Sequence, residues 1–591
     1  MKGWKNTKGI TLIALVITII VLIILAGVSI NALVGEEGLI TKAQKAKADT
    51  EEAKKKEEQG LTEVLGKLEE EIGDSYSKEN GVNKPRLATG MTPIKFKDPT
   101  TAAVGTVETT DSTDASWYNY NEKRWANAKT EDGSMWVWIP RYAYKVNASS
   151  KTFDVVFLIG NTDQYYDAEG NMQTAKRCNS VDENVDTTTG YTVHPAFTDE
   201  TAISYRNGGW DKELTGIWVA KFEAGYASGN NSAPVKASSV SYSQSTSWVR
   251  AVEAGTSADS TQTARNWLDG IYGTTKTAIK YPTFQGTTYS MNYINHNDAY
   301  NIAKAMTESG NIYGLTESTD SHLMKNSEWG AVAYLSQSKY GLNGTDITVN
   351  NISLNSGGAA RTQAAGKSGV DSVYAVTGCT TASTSAGEKT TTIANINKTT
   401  ANTAVDGVYT WDQVNGTKAS SSGTIYGIYD LSGGTWERTA AYVANSRGEL
   451  KSYGSSIAYD GNTLKTISTK YTTTYPFDST TDNTSIASND TNLNTASANN
   501  YKKNTLIYGD GIRETSTAGT GSTSWYNDYS YYPGLYYPFS FRGGHFWLVR
   551  VPVCSISVVI LAIAITLMGS ARCWPCSSTL KIPCTLFPFI R

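Results

Sequence analysis

Residues 10–34 read ITLIALVITIIVLIILAGVSINALV without a charge, and a run of that length can cross a bilayer as one helix. Lys2, Lys5 and Lys8 precede it and Glu36 and Glu37 follow it, which places the N-terminus in the cytoplasm and the bulk of the chain outside. The pattern then turns amphipathic. Residues 35–73 are dense in Lys, Glu and Ala, with Leu61, Val64, Leu65 and Leu68 at helical spacing, and predict a charged stalk. Residues 74–116, with Pro85, Pro93 and Pro99 among turn formers and threonines, read as a linker.

From Trp117 the period becomes two. Aromatics alternate through WYNY (117–120), GSMWVWIP (133–140) and RYAY (141–144), and HPAF (194–197) and GIWVAKFE (216–223) continue the pattern, so 117–280 reads as β-rich. Residues 291–306 predict a helix with Asn297 or Asp298 as its cap and Ala299, Ile302, Ala303 and Met306 on its apolar side. A second, apolar helix follows at 330–335. Residues 380–422 and 463–500 are rich in Thr, Ser and Asn with few large apolar groups, and read as surface loops. Beyond residue 546 the character changes again: VPVCSISVVILAIAITLMG (551–569) has the hydropathy of a second span.

Composition narrows the function. Charged residues are 18% of the 591 and net charge is −3, so bulk electrostatics does not favour nucleic acid. The 36 Tyr and 15 Trp, set among Thr, Ser, Asn and Gly, suit an extracellular recognition protein. Cys178 and Cys379 stand alone while Cys554, Cys573, Cys576 and Cys584 crowd the end, a distribution that fits neither a disulfide framework nor a zinc site. With His194, His296, His322 and His545 the only histidines, no Ser/His/Asp order or metal-spaced cluster emerges, and His194 reads as a packed turn residue.

Lys8-Gly9 directly before the apolar run resembles the prepilin-type leader, in which a prepilin peptidase cuts after the glycine. The resemblance implies cleavage between Gly9 and Ile10. Pilins of that family carry Glu five residues after the cut. Here the position is Ala14, which leaves anchoring better supported than filament assembly.

The run YGIYDLSGGTWERTAAYV (426–443), followed by FSFRGG (539–544), resembles the C-type-lectin fold of the formylglycine-generating-enzyme type. The helix at 291–306 and LMKNSEW (323–329) stand in matching order, and 217–223 looks like that family's early strand. The fold motif comprises Tyr429, Asp430, Gly433, Trp436, Glu437, Arg542, Gly543 and Gly544. Its glycines supply tight turns, Tyr429 and Trp436 are core anchors, and Asp430 and Glu437 are expected to partner buried backbone or Arg542. The family's copper-binding cysteine pair is not recognisable, so an enzyme is not expected. Asp430 and the Asn-rich loops are compatible with calcium, with no ligand set assigned.

The resemblance extends to lectin-like proteins diversified by a retroelement, which end in a stretch resembling GSGAGV…GFRAVLAL. Permitted codons for residues 548–554, read one nucleotide earlier, give GSGAGV. The same shift across 568–577 gives GFRALLAL and a stop. A frameshift then accounts for the clustered cysteines and the apolar end. By the same resemblance the variable ligand-binding positions begin at His545, Phe546, Trp547 and Leu548.

The expected fold class is α+β: a transmembrane and stalk helix, a β-rich region, and a C-type-lectin-like domain with long polar loop insertions. The divisions are 1–9 leader, 10–34 membrane helix, 35–73 stalk, 74–116 linker, 117–280 β-rich N-terminal part of the lectin-like region, 281–546 lectin-like domain and 547–591 aberrant tail. The function expected is a single-pass, surface-displayed binding protein of the cell membrane. Its partners are the membrane, the peptidase and an unknown surface ligand, protein or glycan, with no nucleic acid. The alternative is a minor pilin-like subunit.

Overall fold

The computed structural model describes Ile17 and residues 76–77, 81–97, 107–177, 188–199, 209–226, 282–290, 296–317, 319–355, 373–384, 389–391, 407–445, 448–477, 504, 508–512, 514–515, 532–534, 538–544, 557–558 and 561–563. Residues 1–75 form one unit and residues 76–591 another. The description that follows is of the second. Gly9, Ile10, the apolar run 10–34 apart from Ile17, the stalk and His545 to Leu548 lie outside the described residues. Among the described residues no helix is long and apolar enough to cross a membrane.

The strands used below are β1 (Thr92–Phe96), β2 (Val107–Thr109), β3 (Asn127–Lys129), β4 (Met135–Pro140), β5 (Tyr142–Asn147), β6 (Thr152–Phe157), β7 (Thr192–Val193) and β8 (Gly216–Ala220). Then come α1 (His296–Ala305), β9 (Ser321–Leu323), α2 (Asn326–Ser336), β10 (Trp436–Ala444), α3 (Gly448–Ala458), β11 (Thr473–Pro476), β12 (Phe539–Arg542), β13 (Ser557–Val558) and β14 (Leu561–Ile563). The architecture is mixed, with few helices and many strands, the α+β class.

A seven-stranded antiparallel sheet runs in the order β9-β14-β8-β4-β3-β1-β2. Side chains alternate across it. Trp218 pairs with Trp138, their rings 5.4 Å apart and edge to face, while Val219 pairs with Val137. Both faces of β8 are buried, which is why its sequence is a continuous apolar run rather than a strict alternation. A second antiparallel sheet, β7-β5-β6, packs Tyr142, Tyr144 and Phe153 into the same core. A third is built on β10, which pairs antiparallel with β12 and parallel with β11 and β13.

Several stretches take a different local structure from the one expected from sequence. Residues 74–116 are not merely a linker: β1 and β2 extend the large sheet, with Ile94 and Phe96 buried. The prolines and threonines concealed strands too short to show a period. One core joins Trp136 and Trp218 of the 117–280 part with Trp329, Ile428 and Tyr442 of the 281–546 part. WYNY (117–120) is a turn leading into a short 3-10 helix at Tyr120–Glu122, although Trp117, Tyr118 and Tyr120 are buried as strand residues would be.

Helix α1 begins at His296, so neither Asn297 nor Asp298 caps it from outside. Asn297 Oδ1 instead accepts from Ser456 N (2.7 Å) on α3. The polar stretches are only partly surface. Trp411, Ser420, Ser421, Ser422 and residues 472–475 are buried. Small hydroxyls go inside when the backbone answers them: Ser421 Oγ accepts from Ile428 N (2.9 Å), and Ser336 Oγ donates to Ser421 O (2.7 Å). In the tail, the described residues are strands, with β14 paired to both β8 and β9.

Candidate functional site

The motif residues gather where the end of β8 meets the loop entering β10. Asp430 has φ of 67°, and that left-handed turn directs its carboxylate back into the core. Gly378 N donates to Oδ1 at 2.8 Å and Oδ2 at 3.1 Å, Asn350 Nδ2 donates to Oδ1 at 2.7 Å, and Glu223 N reaches Oδ2 at 3.3 Å. Burial raises its pKa to about 6 while these donors pull it down. Of the two roles expected for Asp430, this is the backbone one.

Glu223 lies beside it, fully buried, accepting from Thr435 N at 2.9 Å. Burial first, and the Asp430 charge second, push the Glu223 carboxyl well above its ordinary value. The glycine pair makes this proximity feasible. A Cβ on Gly433 would run into the Asn350 carbonyl, and one on Gly434 into the Glu223 carboxylate. Gly433 N donates to Gly543 O at 2.7 Å, which ties the two motif segments together.

Lys221, two residues before Glu223, is fully buried, and burial lowers its pKa. Its ammonium donates to Asn127 Oδ1 (3.0 Å), Ile425 O (2.5 Å) and Gly427 O (2.8 Å) and faces the Phe96 and Tyr429 rings. Three oxygens satisfy its three protons, so the group pins the motif loop to the sheet. Tyr429 completes the pin, stacking on Phe222 and donating to Trp411 O at 2.6 Å.

Glu437 and Arg542 face each other across the β10–β12 pairing, but their side chains take different partners. Trp329 Nε1 donates to Glu437. The Arg542 guanidinium lies 3.8 Å from the Trp329 ring centroid and donates from Nη1 to Asp510 O at 2.6 Å. Its Nε and Nη2 find no acceptor among the described residues. Trp436, nearly buried, tilts against Phe541. Gly543 and Gly544, at φ of 75° and 69°, then turn the chain out of β12 toward His545.

His194, His296 and His322 are all buried and committed to packing. His194 Nδ1 accepts from Ala196 N at 3.2 Å, His296 meets Arg438 and stacks on Phe539, and His322 Nε2 sits 2.9 Å from Glu328. Cys379 is fully buried. Among the described residues no group of three or more His, Cys, Asp or Glu could hold a metal ion, and both Asp430 oxygens already carry donors.

Sequence reasoning missed Lys221, Asn350 and Gly378 as partners of the motif, and Glu514 altogether. The KFE end of 216–223 was a signal for the first, since two charges directly after a buried apolar strand need buried partners. Gly378 and Asn350 lie in polar stretches with no pattern to mark them. No family model matches the chain, and no curated protein matches it.

Proposed function

We propose that this chain is a membrane-anchored, surface-displayed ligand-binding protein whose outer region is a C-type-lectin-like scaffold of the formylglycine-generating-enzyme type, varied by a diversity-generating retroelement. The observation that carries the reading is the internal commitment of the motif. Asp430, Glu223, Lys221, Glu437 and Arg542 spend hydrogen bonds on backbone, buried asparagine amides and core aromatics. Such a motif holds a scaffold rather than reacting with a substrate, so recognition falls to the chain presented after the Gly543-Gly544 turn. In this reading His545, Phe546, Trp547 and Leu548 begin the contact surface for a protein or glycan, and the protein is not an enzyme.

The apolar run 10–34 supplies a single-pass anchor in the cell membrane, with Gly9–Ile10 as the bond cut by a prepilin peptidase. The pairing of β14 between β8 and β9 favours a domain that takes a strand from beyond Gly544. The Lys8-Gly9 leader supports a second reading, a minor pilin-like subunit.

Protease treatment of intact cells, followed by fractionation, tests display. The expected result is loss of the 76–591 region from outside with an N-terminal stub left in the membrane fraction. Full protection from protease contradicts display, and recovery in sheared filaments favours the pilin-like subunit.

A further inference from the structure

The described residues of loop 508–515, namely 508–512, 514 and 515, sit among elements that lie far apart in sequence. A Cβ on Gly509 would meet the Pro195 ring, and one on Gly330 of α2 would meet Gly509 O. Gly511 N donates to Tyr334 Oη at 3.1 Å, and Thr515 Oγ1 donates back to Gly511 O at 2.7 Å. Asp510 accepts from Tyr475 Oη of β11 at 3.1 Å, while its carbonyl receives Arg542 of β12. The loop is thereby joined to the residue that precedes the Gly543-Gly544 turn.

Its remaining anchor is Glu514. The residue is half-buried as a whole, but its carboxyl is enclosed. Tyr144 Oη of β5 donates to one oxygen, and Tyr334 Oη of α2 and Gly509 N (2.7 Å) donate to the other. Tyr144 and Tyr334 are themselves fully buried, in an aromatic box with His194 and Phe153.

We propose that loop 508–515 is a proton-controlled latch: protonated Glu514 seats it between β5 and α2, and loss of that proton loosens the loop together with the Arg542 end of β12. A carboxylate here must stay buried beside aromatic rings, whereas a carboxylic acid is neutral and can still hydrogen-bond both tyrosines. Burial raises the Glu514 pKa from 4.5 to about 7, against the pull of Tyr144, Tyr334 and Gly509 and with a push from Asp510.

The other groups facing it are Tyr144 from β5, Tyr334 from α2, His194 from the turn at 194–197, and Tyr508 and Asp510 from the loop itself. Burial pushes the Tyr144 hydroxyl up and the His194 imidazole down, so both are neutral near pH 7. The seated carboxyl holds its proton to higher pH than the released one. Seating is therefore strongest below 4.5 and weakens as pH rises through about 7.

Hydrogen exchange of the full chain across about pH 5 to 8, corrected for intrinsic exchange, tests this. Peptides covering 508–515 and 539–542 should lose about tenfold or more of their protection relative to β4 amides. Glu514→Gln keeps a neutral group of the same shape and should make those peptides independent of pH. Tyr334→Phe, which removes a donor to the carboxylate, should move the midpoint upward. Protection in the natural chain that does not vary with pH overturns the latch. The same pH dependence in Glu514→Gln, or an unmoved midpoint in Tyr334→Phe should the glutamine variant not fold, also overturns it.

Discussion

Two regions of this molecule bury carboxyl groups, and they do so by different means. At the seam between β8 and the motif loop, Asp430 and Glu223 are surrounded chiefly by backbone N–H groups and an asparagine amide, all fixed by glycine turns. At the latch, the half-buried Glu514 is held by two tyrosine hydroxyls and one backbone N–H of its own loop. Backbone donors cannot rotate away, so the seam is permanent. Hydroxyl donors can turn to accept from a protonated Glu514, so the latch answers to the charge of that one group. Burial raises both carboxyls, Asp430 to about 6 and Glu514 to about 7. What differs is whether the surroundings can move when the charge changes.

The largest expected effect is at the seam. Asp430→Ala leaves Gly378 N and Asn350 Nδ2 without their acceptor and puts a Cβ-only residue at φ of 67°. We expect a loss of about 3 to 5 kcal/mol in denaturant unfolding. Unfolding within about 1 kcal/mol of the natural chain would dissolve the distinction between the two regions. Lys221→Met follows, stranding Asn127 Oδ1, Ile425 O and Gly427 O, with an expected cost of about 2 kcal/mol by the same measurement.

Glu514→Gln should change global stability little at low pH. Its effect is to abolish the pH dependence of loop 508–515, read by hydrogen exchange, and this separates the latch from the seam more sharply than any stability value. Smallest of all is Asp211→Ala, which removes an exposed partner of Lys470 while Asp320 remains 3.1 Å away. Its thermal unfolding should be indistinguishable from that of the natural chain.

The legible regions of the fold were those whose period survives burial. GSMWVWIP and GIWVAKFE announced the central strands, and the apolar positions of the expected helix were named residue by residue: Ala299, Ile302 and Ala303 of α1, and Met306 just after it, are all buried. What stayed hidden lacked a period. Thr92–Phe96 is a strand of five residues interrupted by Pro93, and the buried serines 420–422 look like loop in any composition window. At the site, the motif resemblance found Asp430 and Arg542 but not their partners. Gly378, Asn350 and Asp510 come from distant stretches, and only folding brings a lone glycine N–H to a carboxylate. Glu514 was invisible for the same reason, since neither Tyr144 nor Tyr334 lies near it in sequence.

Retroelement variation is tested most directly by the DNA sequence over codons 543–591 together with its neighbourhood. A diversified receptor with a shifted end requires that the frame one nucleotide earlier encode GxGAGV…GFRxxLxL. It also requires a near-identical template repeat beside a reverse transcriptase, with template adenines marking the differences. A sound reading frame with no template nearby would contradict retroelement variation, and residues 547–591 would then be a genuine end of this domain.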